Sequence, residues 1–450
     1  MHEGLEGKGA REERRNAMGG DVRRVFPEGF LWGAATSSHQ VEGNNVNNDW
    51  WDWEQLPGKV AHGDKSGDAC DQYNRYRQDF EMARDLGHNA HRLSLEWSRI
   101  EPEEGRFDRA AVEHCRDVLG TLKSLGMATM VTLHHFTNPR WLAAKGGWLR
   151  PEVVGLFERY SRHVAVELGD LVDLWVTINE PMVYATQSFL FGVWPPEKKS
   201  VVLAFRVAKN LAKAHGRAYH AIHELLEARG MRPLVGIAKN MMVFDPKRPE
   251  SRWDRAVASK IDRIFNKSFL DALTTGVMAF PLVRRETDPK LAGTQDFIGV
   301  NYYSRTLVGF NIRKPQTLFI DMAVKEDVEK NNLGWEIYPK GIYRILMSVK
   351  EYGLPVYITE NGIATTDDKQ RERFLVSHLR EVASAIADGV DVRGYFHWSL
   401  VDNFEWKEGF TPRFGLVEVD YKTQARIVRP SARLYSEIIR TGSLPQERLQ

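Results

Sequence analysis

The strongest constraint on the fold is a recurring pattern: an apolar, β-rich run followed by a helical stretch, eight times along the chain. The runs fall at residues 30–35, 90–97, 127–136, 171–178, 234 to about 244, 296–303, 355–359 and 392–400. Between the first two, Tyr73, Tyr76, Phe80, Ala83 and Leu86 recur at helical spacing. Val112, Val118, Leu119, Leu122 and Leu125 do the same within 110–125, and 152–168, 203–229, 340–351 and 369–388 behave alike. Leu86-Gly87, Leu125-Gly126 and Tyr352-Gly353 each stand just before a strand run, where a glycine can end a helix. Eight strands separated by helices predict a parallel sheet covered on its outer face, and eight is the number that closes into a single (β/α)8 TIM barrel of the α/β class. A doubly wound open sheet is the rival. The turn after its first strand would carry a Gly-x-Gly-x-x-Gly fingerprint, but here it reads Gly33-Ala34-Ala35-Thr36-Ser37-Ser38. The stretches 246–295 and 304–339 are irregular and are left without elements.

The chain of 450 residues carries 62 Lys+Arg against 60 Asp+Glu, which argues against a nucleic-acid partner. An aromatic content of 11% rules out disorder over most of its length. Residues 1–24 are charged throughout and lack an apolar run of seven, so they read as a mobile N-terminal extension rather than a secretory signal. The barrel is expected over 25–441, with a short tail at 442–450. No apolar stretch reaches about 18 residues, so no membrane span is expected. The two cysteines, Cys70 and Cys115, lack metal or redox spacing and suit a reducing, cytoplasmic location.

In such a barrel, chemistry gathers at the C-terminal ends of the strands. The ends carry Gln40 and Glu42 after run one, Arg92 and Glu96 in run two, His134-His135 after run three, and Asn179-Glu180 after run four. Asn301 and Tyr303 follow in run six, Glu360-Asn361 after run seven, and Trp398, Glu405 and Trp406 in and after run eight. Glu180 and Glu360 stand out because each follows an apolar run. Strands four and seven lie nearly opposite in a ring of eight, so the two carboxyls can face each other across its mouth. Paired carboxylates flanking one bond are what glycosidic cleavage requires. Trp398 and Trp406 could stack on a sugar, while Gln40, His135 and Glu405 could bond its hydroxyls. His134 and His135, adjacent on a strand, point to opposite faces and cannot share a metal ion. No metal and no cofactor are expected.

Four segments resemble glycoside hydrolase family 1, the retaining β-glucosidases. They are Thr177-Ile178-Asn179-Glu180-Pro181, Ile358-Thr359-Glu360-Asn361-Gly362, residues 30–43 (FLWGAATSSHQVEG), and a C-terminal block from His397 through Glu405-Trp406 to Arg413-Phe414-Gly415-Leu416. The likeness spans about 25–441. It departs at Asn44-Asn45, and 251–289 lacks the family's Gly-Asp-Tyr-Pro pattern. The resemblance implies a two-step displacement with Glu360 as nucleophile and Glu180 as acid, then base. Arg92 and Tyr303 would support a charged Glu360, and a negative Glu360 would help Glu180 keep its proton. Gln40, His135, Asn179, Tyr303, Glu405 and Trp406 would hold the nonreducing sugar over Trp398. Asn301 and Phe414 would support the site, and Trp335 would flank the leaving group. Glu405 stands where the branch acting on 6-phosphorylated sugars usually lacks a carboxylate. Small β-glucosides and cello-oligosaccharides are therefore the expected substrates, with β-galactosides and β-fucosides beside them. A 6-phospho-β-glycosidase, a transglycosylase and a sugar-binding relative without activity are the alternatives.

Overall fold

The computed structural model describes residues 25–314 and 319–445. The extension predicted for 1–24, and the last residues of the tail, lie outside them. Eight strands form the barrel: β1 (Leu31–Ala35), β2 (Ala90–Ser94), β3 (Ala128–His134), β4 (Leu174–Asn179), β5 (Leu234–Asn240), β6 (Phe297–Asn301), β7 (Val356–Asn361) and β8 (Val392–Trp398). The order around the ring is β1, β8, β7, β6, β5, β4, β3, β2, closed by β2 against β1 and parallel at every pair. The expected architecture is the one found.

The outer layer forms where the 3.6-residue periodicity predicts it, as helices Gln72–Asp85, Arg109–Ser124, Val153–Leu168, Val201–Glu227, Pro339–Val349 and Asp368–Ala387. Asp108 caps the second by accepting from Ala110 N and Ala111 N. Gly87, Gly126 and Gly353 take positive φ of 86°, 72° and 67° where those helix patterns end. A final helix, Pro430–Thr441, closes the layer. Beyond it Gly442 accepts from Val25 N at 2.9 Å, tying the two ends of the described chain together.

The core has two compartments. Inside the barrel lie Ala35, Ala90, Met130, Leu174, Val176, Ala238, Phe297, Tyr357 and Phe396. A larger apolar shell, including Val131, Ile178, Val235, Ile298, Val300 and Ile358, fills the space between strands and helices. Alternation along each strand divides the side chains between the two.

One predicted element is corrected. The fifth run is not a single strand to Phe244. β5 ends at Asn240, and Val243–Pro246 leaves the barrel to pair in parallel with Arg305–Phe310. With Ile320–Ala323 they make a small sheet on the rim. The irregular stretch after β5 also holds helices Arg252–Asp262 and Ser268–Thr275. Run four begins three residues late, because Gly169–Leu171 is a short 3-10 turn.

Candidate active site

Two local shifts of strand register build the site. Leu174 and Val176 face the barrel interior, so strict alternation would send Ile178 inward. The pairing of β4 with β5 slips between Val176 and Asn179. Ile178 therefore joins the outer shell, and Asn179 turns into the mouth. On β7 the pairing slips between Ile358 and Glu360 against β6, and between Ile358 and Asn361 against β8. Thr359 and Glu360, adjacent in sequence, consequently both reach the interior network. Asn361 takes the other side, donating to Tyr302 O and accepting from the Tyr395 hydroxyl. Such irregularities re-aim a side chain next to a functional centre.

Arg92 sits at the middle, 1% exposed. Its Nη1 donates to Glu360 Oε1 at 2.6 Å and to Thr359 O at 3.0 Å, and its Nη2 donates to Asn179 Oδ1 at 2.8 Å. The Tyr303 hydroxyl donates to the other oxygen of Glu360 at 2.6 Å. Burial, then the Glu360 and Glu180 carboxylates, holds the Tyr303 phenol well above its usual range, so that proton stays on tyrosine.

Glu180 has different company. Both Asn301 Nδ2, at 2.9 Å, and Asn240 Nδ2, at 3.1 Å, donate to its Oε1. Burial, and then the charge of Glu360, pushes the Glu180 carboxyl up to about 7; the two amides and Arg92 oppose the rise. Asn301 Nδ2 also reaches Asn179 Oδ1, and Thr359 Oγ1 donates to Asn301 Oδ1. One hydrogen-bond network thus runs Glu180, Asn301, Asn179, Arg92, Glu360.

The same network fixes His135. Asn179 Oδ1 already accepts from Arg92 and Asn301, so its amide nitrogen must donate to His135 Nε2, 3.1 Å away. The His135 proton is therefore on Nδ1. Burial and Arg92 hold this imidazole well below its ordinary value, so it is neutral. His134 turns away, its Nε2 beside Asn138 Oδ1 and the Trp148 indole. The two histidines face apart, as their adjacency on a strand requires. Among the described residues no group of three or more His, Cys, Asp and Glu side chains could hold a metal ion.

The His135 ring lies parallel to both Trp398 and Trp406, with centroids 6.0 and 6.2 Å away. Gln40 is locked by Ser37, Asn403 and Phe404 O, and reaches Glu405 Oε2 at 3.4 Å. Desolvation and the Glu360 charge push Glu405 up to about 8, opposed by a hydrogen bond from Trp398. On the other flank Tyr303, Trp335 and Phe414 make an aromatic trio with centroids 5.8 to 6.5 Å apart, and Trp335 is 36% exposed.

A family model described as Glycosyl hydrolase family 1 matches residues 22–443. Beta-glucosidase A of Thermotoga maritima is 38% identical, over 94% of this chain and 99% of its own length. The chain belongs to glycosyl hydrolase family 1. A Beta-galactosidase of Pyrococcus woesei is 32% identical, over 94% of this chain and 98% of its own length. Among solved structures, a beta-glycosidase from Pyrococcus horikoshii is 45% identical and superposes with a TM-score of 0.87, covering 94% of this chain and 97% of its own. As a family 1 member the chain is a glycoside hydrolase. Of the side chains singled out from its sequence, Gln40, Arg92, His135, Asn179, Glu180, Asn301, Tyr303, Glu360 and Glu405 gather at the mouth, whereas Glu42 pairs with Arg99, and His134 and Asn361 turn away. Asn240 was not among those singled out. It ends β5, but in the sequence it lies inside a run that reads as one strand to about residue 244, which hides its place at a C-terminal strand end.

Proposed function

We propose that the chain is a retaining β-glucosidase in which Glu360 is the nucleophile and Glu180 the acid/base. The observation that carries this is the contrast between two carboxyls in one network. Glu360 accepts from a guanidinium and a phenol, whereas Glu180 is buried, held by neutral amides and raised to about 7. In the first step Glu360 attacks the anomeric carbon while Glu180 gives its proton to the departing oxygen, leaving a covalent glycosyl ester. Asn240 and Asn301 occupy Oε1 of Glu180, so the transferable proton belongs on Oε2. Esterification removes the Glu360 charge that helps hold Glu180 protonated. Glu180 can then take a proton from water as that water attacks the anomeric carbon and frees Glu360. Retention asks for carboxyl groups about 5 to 5.5 Å apart.

The sugar would rest on Trp398, with its hydroxyls on Gln40, His135, Asn179, Glu405 and Trp406. The aromatic trio around Trp335 would take the leaving group. Substrates are unphosphorylated β-glucosides and short cello-oligosaccharides, with β-galactosides and β-fucosides as side substrates. The groups acting most strongly on Glu405 are Glu360, Trp398, Glu180 and Glu408, none of them a cation for a sugar phosphate. Free thiols at Cys70 and Cys115 suit a reducing cytoplasm. Among the described residues no helix is long and apolar enough to cross a membrane.

Azide tests the assignment of roles. With a dinitrophenyl β-glucoside, Glu360→Ala should lose turnover and regain it with azide as the α-glucosyl azide, while Glu180→Ala should yield the β-azide. The opposite stereochemistry would exchange the roles. Faster cleavage of 6-phosphoglucosides than of glucosides would overturn the substrate class.

A further inference from the structure

Lys239 is fully buried at the end of β5, directly before Asn240. A lysine is rarely enclosed in this way without a partner for its ammonium. Alternation sends Asn240 into the mouth and Lys239 into the layer between barrel and helices. There Nζ lies 4.5 Å from the centre of the Phe265 ring and donates to the main-chain carbonyl of Asn240 at 2.5 Å. The charged groups facing Lys239 are Asp262, from helix Arg252–Asp262, and Glu180, from beyond β4. The next turn of chain is clasped as well. Asn266 Oδ1 accepts from Met242 N, and Asn266 Nδ2 donates to Met242 O and to Asp262 Oδ1. From the inner side of the same strand end, the Asn240 amide reaches Glu180 Oε1.

We propose that Lys239 is a positioning residue for Glu180: its ammonium pins the Asn240 carbonyl at the end of β5 and thereby keeps the Asn240 amide on the acid/base carboxyl. The proposal rests on the reading of Glu180 as acid/base. Lys239 touches neither sugar nor reacting atoms and acts through Asn240. Its positive charge and the amide it steadies both favour the carboxylate form of Glu180, against burial and the charge of Glu360. Arg92 and Asn301 act on Glu180 in the same direction as Lys239, and Tyr303 and Glu405 share its field. Burial lowers the Lys239 ammonium to about 7, so its charge fades across the range in which Glu180 titrates.

The experiment compares Lys239→Met with wild type and with Glu180→Gln on two substrates, methyl β-glucoside and dinitrophenyl β-glucoside. The first needs a proton on its leaving oxygen and the second does not. Glu180→Gln should lose far more kcat/KM on the methyl glucoside than on the dinitrophenyl glucoside. Lys239→Met should show the same selectivity in milder form, about tenfold on the methyl glucoside and under about twofold on the other. Its alkaline limb of kcat/KM should move to higher pH, and azide should restore its kcat on the dinitrophenyl substrate. Circular dichroism checks folding. Should Lys239→Met not fold, Lys239→Gln removes the charge alone, and its alkaline limb should still move up. Equal losses on the two substrates, or an unmoved alkaline limb in a folded variant, would overturn the proposal while leaving Glu180 in place. If Glu180→Gln itself lacked the selectivity, the acid/base reading would fail first, and this one with it.

Discussion

Glu180 stands in the left-handed region, with φ of 44° and ψ of 57°, between the last residue of β4 and Pro181, which opens a short helix. A non-glycine residue there carries strain of about 1–3 kcal/mol, kept by the structure around it. The turn aims the carboxyl at Asn240 and Asn301 rather than along the helix. With Glu180 as the proposed acid, which must hold its proton to help the leaving group, kcat/KM for an alkyl β-glucoside should fall as pH rises through about 7. Glu180→Gln should remove this alkaline limb along with most of the activity; a limb that persists in that variant belongs to another group. At this scale the site was largely legible, since Glu180 and Glu360 each follow an apolar run and share the mouth with amides and aromatics. Asn240 was not, because a lone Asn inside an apolar run carries no chemistry until the strand is seen to end there with a carboxyl beside it.

Strands were easier to read than their registers. Periodicity locates β4 and β7, yet strict alternation would misplace Ile178 and Asn179, because a slip in pairing depends on neighbours far along the chain. The fifth run shows the same limit. Its apolar residues continue past Asn240, but Val243–Pro246 finds its partner in Arg305–Phe310, across a separation no local pattern reports. For that reason no local pattern announces the rim sheet. Gly362, just beyond β7, shows how tightly the slipped strand end is packed. A Cβ at this position would fall 1.8 Å from the Trp398 carbonyl oxygen, at the end of β8. Gly362→Ala must push β7 and β8 apart where one carries Glu360 and the other Trp398, the proposed floor for the sugar. We expect a loss of at least about 1–3 kcal/mol in stability, and a larger fractional loss in kcat than in aryl-glucoside binding. Denaturant unfolding and steady-state kinetics check it; wild-type values for both would mean the contact relaxes freely.

Across the whole molecule, closing the barrel encloses histidines that the reaction does not use. Burial pushes His88, His134 and His215 down to about 4, and His91, His378 and His397 down to about 3. In the unfolded chain each would titrate near 6.5. Between these values the unfolded state binds more protons at these rings, so their contribution to stability is complete above about pH 6.5 and is lost as pH falls toward 4; the raised carboxyls of Glu180 and Glu405 act in the opposite sense, but they are outnumbered by the six rings. The thermal midpoint should therefore drop steeply over that window, and a flat profile would show that these rings accept protons in the folded state. The chain's eight-fold pattern announced a closed α/β barrel, while these buried rings emerge only once helices and strands are packed. The account as a whole depends on Glu360 bonding the sugar before water does. The most direct test is NMR of glucose as it is first released from an aryl β-glucoside. The β-anomer should appear first and then mutarotate. If the α-anomer comes first, water attacks directly, and the two-step displacement with Glu360 as nucleophile is wrong.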